Sequence, residues 1–290
     1  MVNGFKKEML FYTRGGRLVI MLVVMVVLAL MAPVMYGFLK MMVGALNTAE
    51  GIDESTRQML DLFGGFTAAE VTMYTVEYVA GMGAIVTLFL FKGAAGGEQQ
   101  KRSVIIPHCS GLSALDYALP KFIIYPMSIF IVSFVAVFLG AGVSLPIFGG
   151  ELDWGMVAIS ALCTAGFLAF FTVLQFCIGI CTGRSGLAII ICIIAQTFLP
   201  SLLSFFRIDR FNPVSLYSIA LGAALGSGKS SGNFFASLES STNSVSGDVT
   251  PLNVTISLVT AVIISVLLGF VTVFVLHTKE VHNEGDEPVL

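Results

Sequence analysis

The chain has 290 residues, 56% of them apolar and only 11% charged, with a mean hydropathy of +0.93. So little charge cannot cover the surface of a water-soluble protein of this size, which excludes a soluble enzyme or binding module. The net charge of −3 singles out no class of partner, and nucleic acid is not expected as one.

Six apolar runs stand out, at 18–39, 71–91, 122–145, 156–181, 186–206 and 252–276. Each is near the roughly 20 residues needed to cross about 30 Å of hydrocarbon. The alternation of a membrane barrel is absent, so the expected fold class is an all-α polytopic membrane protein with six transmembrane helices.

Residues 1–17 place Phe5, Met9, Leu10 and Tyr12 among Lys6, Lys7, Arg14 and Arg17, the pattern of a short amphipathic helix lying in the interface. Residues 18–290 then form the transmembrane domain. The first run contains Pro33, and no small-residue cleavage site closes a short apolar stretch, so a cleaved signal peptide is not expected. Helix two is expected to begin near Phe66 and to bring Glu70, Tyr74 and Glu77 onto one face. Two readings of that acidic stripe stay open. Either the carboxylates are hydrated at headgroup level, or they border a polar pathway for a basic, amphipathic peptide.

The polar interruption 92–121 is too long for a hairpin turn, and Lys92, Lys101, Arg102 and Lys121 assign it to the cytoplasm. Runs four and five are joined by the short 182–185 turn with Arg184, and Gln175 and Gln196 within them read as interhelical hydrogen bonders. The segment 207–251 reads as extracellular, with Pro213 near the start of a possible short helix and a Gly, Ser and Asn-rich remainder. With both termini inside, ten of the fifteen basic residues (Lys6, Lys7, Arg14, Arg17, Lys92, Lys101, Arg102, Lys121, Arg184 and Lys279) are cytoplasmic. That bias is what the positive-inside rule requires.

Several tempting motifs fail on context. GSGKS at 226–230 has Ala223 where a phosphate loop needs its first Gly, and lies in a segment assigned to the outside. His108, His277 and His282 lie outside the predicted helices, so no intramembrane metal set and no nucleophile with its base can be assembled. Of the five cysteines, Cys109, Cys163, Cys177, Cys181 and Cys192, none lies in an outer loop, and Cys177 and Cys181 read as packing residues. The chain is not expected to be an enzyme by itself, nor to bind a metal or cofactor.

The basic amphipathic amino terminus, the six helices, the long loop after helix two and the partly apolar outer segment before helix six together resemble the permease subunit of ABC-2 type exporters. Within the loop, Glu98, Pro107, Ser113 and Lys121 match a Glu near the loop start, a proline with a Ser-containing stretch, and a Lys opening helix three. Lys101-Arg102-Ser103 stands where that family commonly has a Gly-Thr pair. Bacterial peptide and toxin exporters look similar in size and in having a separate ATPase subunit. The resemblance implies a multi-pass permease of the bacterial cell membrane, in contact with membrane lipids and paired with a second copy or close paralogue. Two cytoplasmic ATPase subunits, which would carry the ATP and Mg, would drive export of an amphipathic peptide or other hydrophobic substrate. It also implies that Glu98, Lys101, Arg102, Pro107, Ser113 and Lys121 belong to a coupling helix seated on the ATPase. The alternative is a self-sufficient secondary transporter or channel, whose repeated halves and mid-membrane charges are not seen in the sequence.

Overall fold

The computed structural model describes residues 2–47, 66–97, 114–205, 212–227 and 250–285. The chain starts with α1 (Val2–Arg14), turns at Gly16 in the left-handed region (φ +68°), and enters α2 (Arg17–Asn47). Glycine adopts that conformation without the clash a Cβ would bring, so the chain can turn there from α1 into α2.

The second span is built in pieces. α3 (Ala68–Glu77) passes through a π-helical turn at Tyr78–Met82 into α4 (Gly83–Leu90), and the chain then kinks at Gly93–Gly97, where Ala95 and Gly96 leave helical geometry. Its start is fixed by a capping box: the Thr67 hydroxyl accepts from the Glu70 N–H while the Glu70 carboxylate reaches back to the Thr67 N–H. Two backbone donors with no intrahelical partner are thereby satisfied.

The later helices are α5 (Ala114–Phe148), α6 (Trp154–Thr182), α7 (Ser185–Phe205), α8 (Ser215–Gly226) and α9 (Pro251–Gly285). Asp153 caps α6 by accepting from the Gly155 N–H at 2.8 Å, and Gly183 at φ +66° ends it, which makes the 182–185 connection as short as expected. Pro120, Pro126 and Pro146 lie inside α5, where neighbouring helices sustain the interrupted ladder.

Five of these helices are long and apolar enough to cross a membrane: Arg17–Leu46, Ala68–Gly97, Leu115–Phe148, Trp154–Thr182 and Pro251–Thr278. The molecule is therefore an all-α chain with the makings of a multi-pass membrane protein. The expected run at 186–206 is α7, an apolar helix of 21 residues, and a further apolar helix, α8, lies within the 207–251 segment. The loop expected at 92–121 is also shorter than its polarity suggested, because α5 already begins at Ala114.

α6 is the central helix. In its most apolar stretch 67% of residues are buried, against 11% in α9, and it packs on α5, α7, α8 and α9. Polar side chains tie it to its neighbours: Ser160 Oγ donates to the Ala220 carbonyl at 2.7 Å and Gln175 Nε2 to the Leu88 carbonyl at 2.6 Å. The second bond bears out the interhelical role expected of Gln175. At the α1 end the backbones themselves touch: Gly96 (φ +85°) lies against Gly179, and a Cβ on Gly179 would stand 2.5 Å from the Ala95 carbonyl oxygen.

Candidate functional site around Lys121

At the end of the bundle that carries α1, a charged pair is enclosed in an aromatic shell. Lys121 lies two turns into α5, and its side chain is fully buried. It faces Glu8 of α1, also buried, with Nζ 3.6 Å from Glu8 Oε1. The second oxygen, Oε2, accepts from the Tyr125 hydroxyl at 3.2 Å. Lys121 also donates to the Ala94 carbonyl in the Gly93–Gly97 kink at 3.1 Å and to the Tyr117 hydroxyl at 3.3 Å.

One ammonium therefore fastens three elements: α1 through Glu8, the end of the second span through Ala94, and α5, which carries it. A buried pair is tolerable only when its remaining donors and acceptors are satisfied, and here both carboxylate oxygens are engaged. Removing one partner alone would strand a charge in a low-dielectric site, at a cost of about 3–5 kcal/mol.

The shell explains why the pair stays dry. Tyr12, two residues before the end of α1, packs edge-on to Tyr125 with centroids 5.1 Å apart, and Tyr125 meets Phe91 at 5.0 Å and Phe176 at 4.9 Å. These rings join α1, the end of the second span, α5 and α6 in one cluster. The Tyr12 hydroxyl donates to Met21 Sδ at 3.4 Å, and burial pushes its phenol above the ordinary value, so it remains a neutral donor. On the rim, the Arg17 guanidinium stacks 4.5 Å over the Phe11 ring.

α1 thus has two faces. Glu8 and Tyr12, one turn apart, point inward, whereas Lys6, Lys7, Met9, Leu10, Phe11 and Arg14 are exposed. Tyr12 belongs to the buried core rather than to the exposed apolar side with Met9 and Leu10.

Of the residues expected to contact an ATPase, Glu98, Lys101, Arg102, Pro107 and Ser113 lie outside the described residues. Lys121 is described, and it bonds Glu8, Ala94 and Tyr117. Glu8, Tyr117 and Tyr125 were not foreseen. Their available signal was slight: an acid within a basic amphipathic segment, one turn before a tyrosine.

The acidic stripe divides. Glu70 is taken up by the capping box, its Oε2 accepting from the Thr67 N–H at 2.8 Å and from the Thr67 hydroxyl at 3.0 Å. Tyr74 stacks on Tyr36 of α2, centroids 4.8 Å apart and planes 25° apart. Glu77 is exposed. Among the described residues no cluster of three or more His, Cys, Asp or Glu side chains is arranged to hold a metal. No protein-family model matches this chain, and comparison with characterised proteins finds no matching sequence.

Proposed function

We propose that this chain is the permease subunit of an ATP-driven exporter of the ABC-2 type, with both termini in the cytoplasm of a bacterial cell. It works beside a second copy or close paralogue, and two ATPase subunits bind ATP and Mg and supply the power. Its substrate is an amphipathic peptide or another hydrophobic molecule. Six membrane crossings are part of this reading, with α7 as the fifth.

The observation that carries the reading is the junction at Lys121. The segment 98–113 is the docking element in this account. The chain on its amino-terminal side is held by the Lys121 bond to Ala94, and the helix on its carboxy-terminal side is α5, which carries Lys121. A force applied there by a docked ATPase reaches α1, α5 and the central α6 through one ion pair and one aromatic cluster. Transmission of that kind needs a stiff contact between the driven segment and the helices that move. A channel working alone would need no such fastening at a polar loop.

The test is copurification. The chain, tagged and extracted from its native membrane in mild detergent, should bring with it a nucleotide-hydrolysing subunit that has no membrane helices. Extraction of the chain alone, with transport activity in liposomes that needs no ATP, would replace this reading with that of a secondary transporter or channel.

A further inference from the structure

Glu77 is a carboxylate placed inside an apolar span, with no cation paired to it among the described residues. The helical stretch from Ala68 to Leu90 is about 34 Å long at 1.5 Å per residue, so it overhangs a 30 Å hydrocarbon layer by about 2 Å at each end. Glu77 is about 14 Å from Ala68, which puts it about 12 Å inside the hydrocarbon edge when the stretch is centred in that layer. Among the described residues it makes no ion pair, and its side chain is exposed. An ionisable group in that position has a functional partner by default, because lipid tails cannot solvate it.

Its surroundings indicate the chemistry of that partner. Tyr74 lies three residues before Glu77 on the same face of α3, Tyr36 of α2 packs on it, and α8, which carries Tyr217, packs against α3; all three tyrosines are half-buried. Tyr36 and Tyr74 stack with each other, and Phe66 backs both, its centroid 4.6 Å from Tyr36. Tyrosine faces attract cations and repel anions. Immediately after Glu77 the helix widens into the π-helical turn Tyr78–Met82, a feature that recurs at functional sites, and Gly81 there faces open space. Further along the same span, Met82, Ile85 and Phe89 are exposed and offer an apolar track.

From this arrangement we infer that Glu77, with Tyr36, Tyr74 and Tyr217, forms a binding site for a lipophilic organic cation, the charge seated at the carboxylate and the apolar body along Met82 and Ile85. As the substrate class of the exporter this rests on the reading above. As a binding site it is measured without nucleotide or ATPase, so a failure of one leaves the other standing.

The probe is tetraphenylphosphonium, with tetraphenylborate as the anion of the same shape. Binding is measured by equilibrium dialysis against the full chain in nanodiscs of uncharged lipid, with protein-free discs subtracted. Saturable phosphonium binding is expected, weakened about tenfold by Glu77→Gln and reduced by Tyr36→Leu, with no comparable binding of the borate. Glu70→Gln keeps the capping box, since glutamine serves there as well, and should bind as the unaltered chain does. Absence of saturable binding above protein-free discs would overturn the assignment. So would equal binding by the Glu77→Gln chain, or an equal loss in the Glu70→Gln chain.

Discussion

Glu8 and Lys121 are worth more as a pair than their separate substitutions can reveal. Glu8→Gln alone leaves a buried ammonium without its counter-ion, and Lys121→Met alone leaves a buried carboxylate with only the Tyr125 hydroxyl. Each single change should therefore lower the thermal unfolding temperature in detergent, by an amount reflecting about 3–5 kcal/mol. The double variant removes both charges and keeps side chains of similar size, so it should unfold closer to the unaltered chain than either single variant does. Additive losses in the double variant would mean that the two side chains do not act on one another. The pair was not legible beforehand for a physical reason. A sequence pattern reports faces and periods within one helix, whereas Glu8 bonds to Tyr125, 117 residues away. Glu70 illustrates the opposite limit: its spacing with Tyr74 and Glu77 was visible, but its bond to Thr67 removes it from that group.

Among the elements, the spans were the legible part, because burial in hydrocarbon demands long, nearly uncharged runs whatever the packing. The boundaries of 71–91 and 156–181 were recovered to within a few residues, and the start of helix two near Phe66 was right because Thr67 and Glu70 cap it. What the pattern could not carry was backbone irregularity. The π-helical turn at Tyr78–Met82 has no residue signature that distinguishes it from an ordinary turn of helix, whereas the kink at Gly93–Gly97 is marked by its three glycines. At that kink two backbones meet, which gives a direct test. In Gly179→Ala the new Cβ would stand 2.5 Å from the Ala95 carbonyl oxygen, so backbone must move, and thermal stability should fall clearly. Gly142→Ala on α5 meets nothing within 4 Å and should be neutral or stabilising by up to about 1 kcal/mol. Equal behaviour of the two variants in the same unfolding assay would argue against the close Gly96–Gly179 contact.

For the whole molecule, the architecture divides labour between its two ends. The α1 end is fastened by charge, aromatic contact and close backbone packing, all converging on α5, α6 and the end of the second span. The opposite half of that span carries Glu77 and its tyrosines between α2 and α8, with Met82, Ile85 and Phe89 exposed beyond. A machine that couples ATP hydrolysis to transport needs both properties, a stiff region to receive the force and a face whose exposure changes when the helices rock. The all-α fold class followed from the length and apolarity of the runs; this division did not, because it depends on contacts between residues distant in sequence.

The most direct measurement of the coupling account is a distance change between the ends of two helices far from the junction. Spin labels at Met41 of α2 and Leu252 of α9, both well exposed, report that end of the bundle once the native cysteines are replaced. In the assembled complex, trapping the ATPase with ATP and vanadate should shift the label separation. The Glu8→Gln/Lys121→Met variant should still trap nucleotide but lose most of that shift, because the stiff contact at Lys121 is gone. The same shift in the double variant as in the unaltered complex would contradict the account, and so would a complex that traps nucleotide with no shift at all.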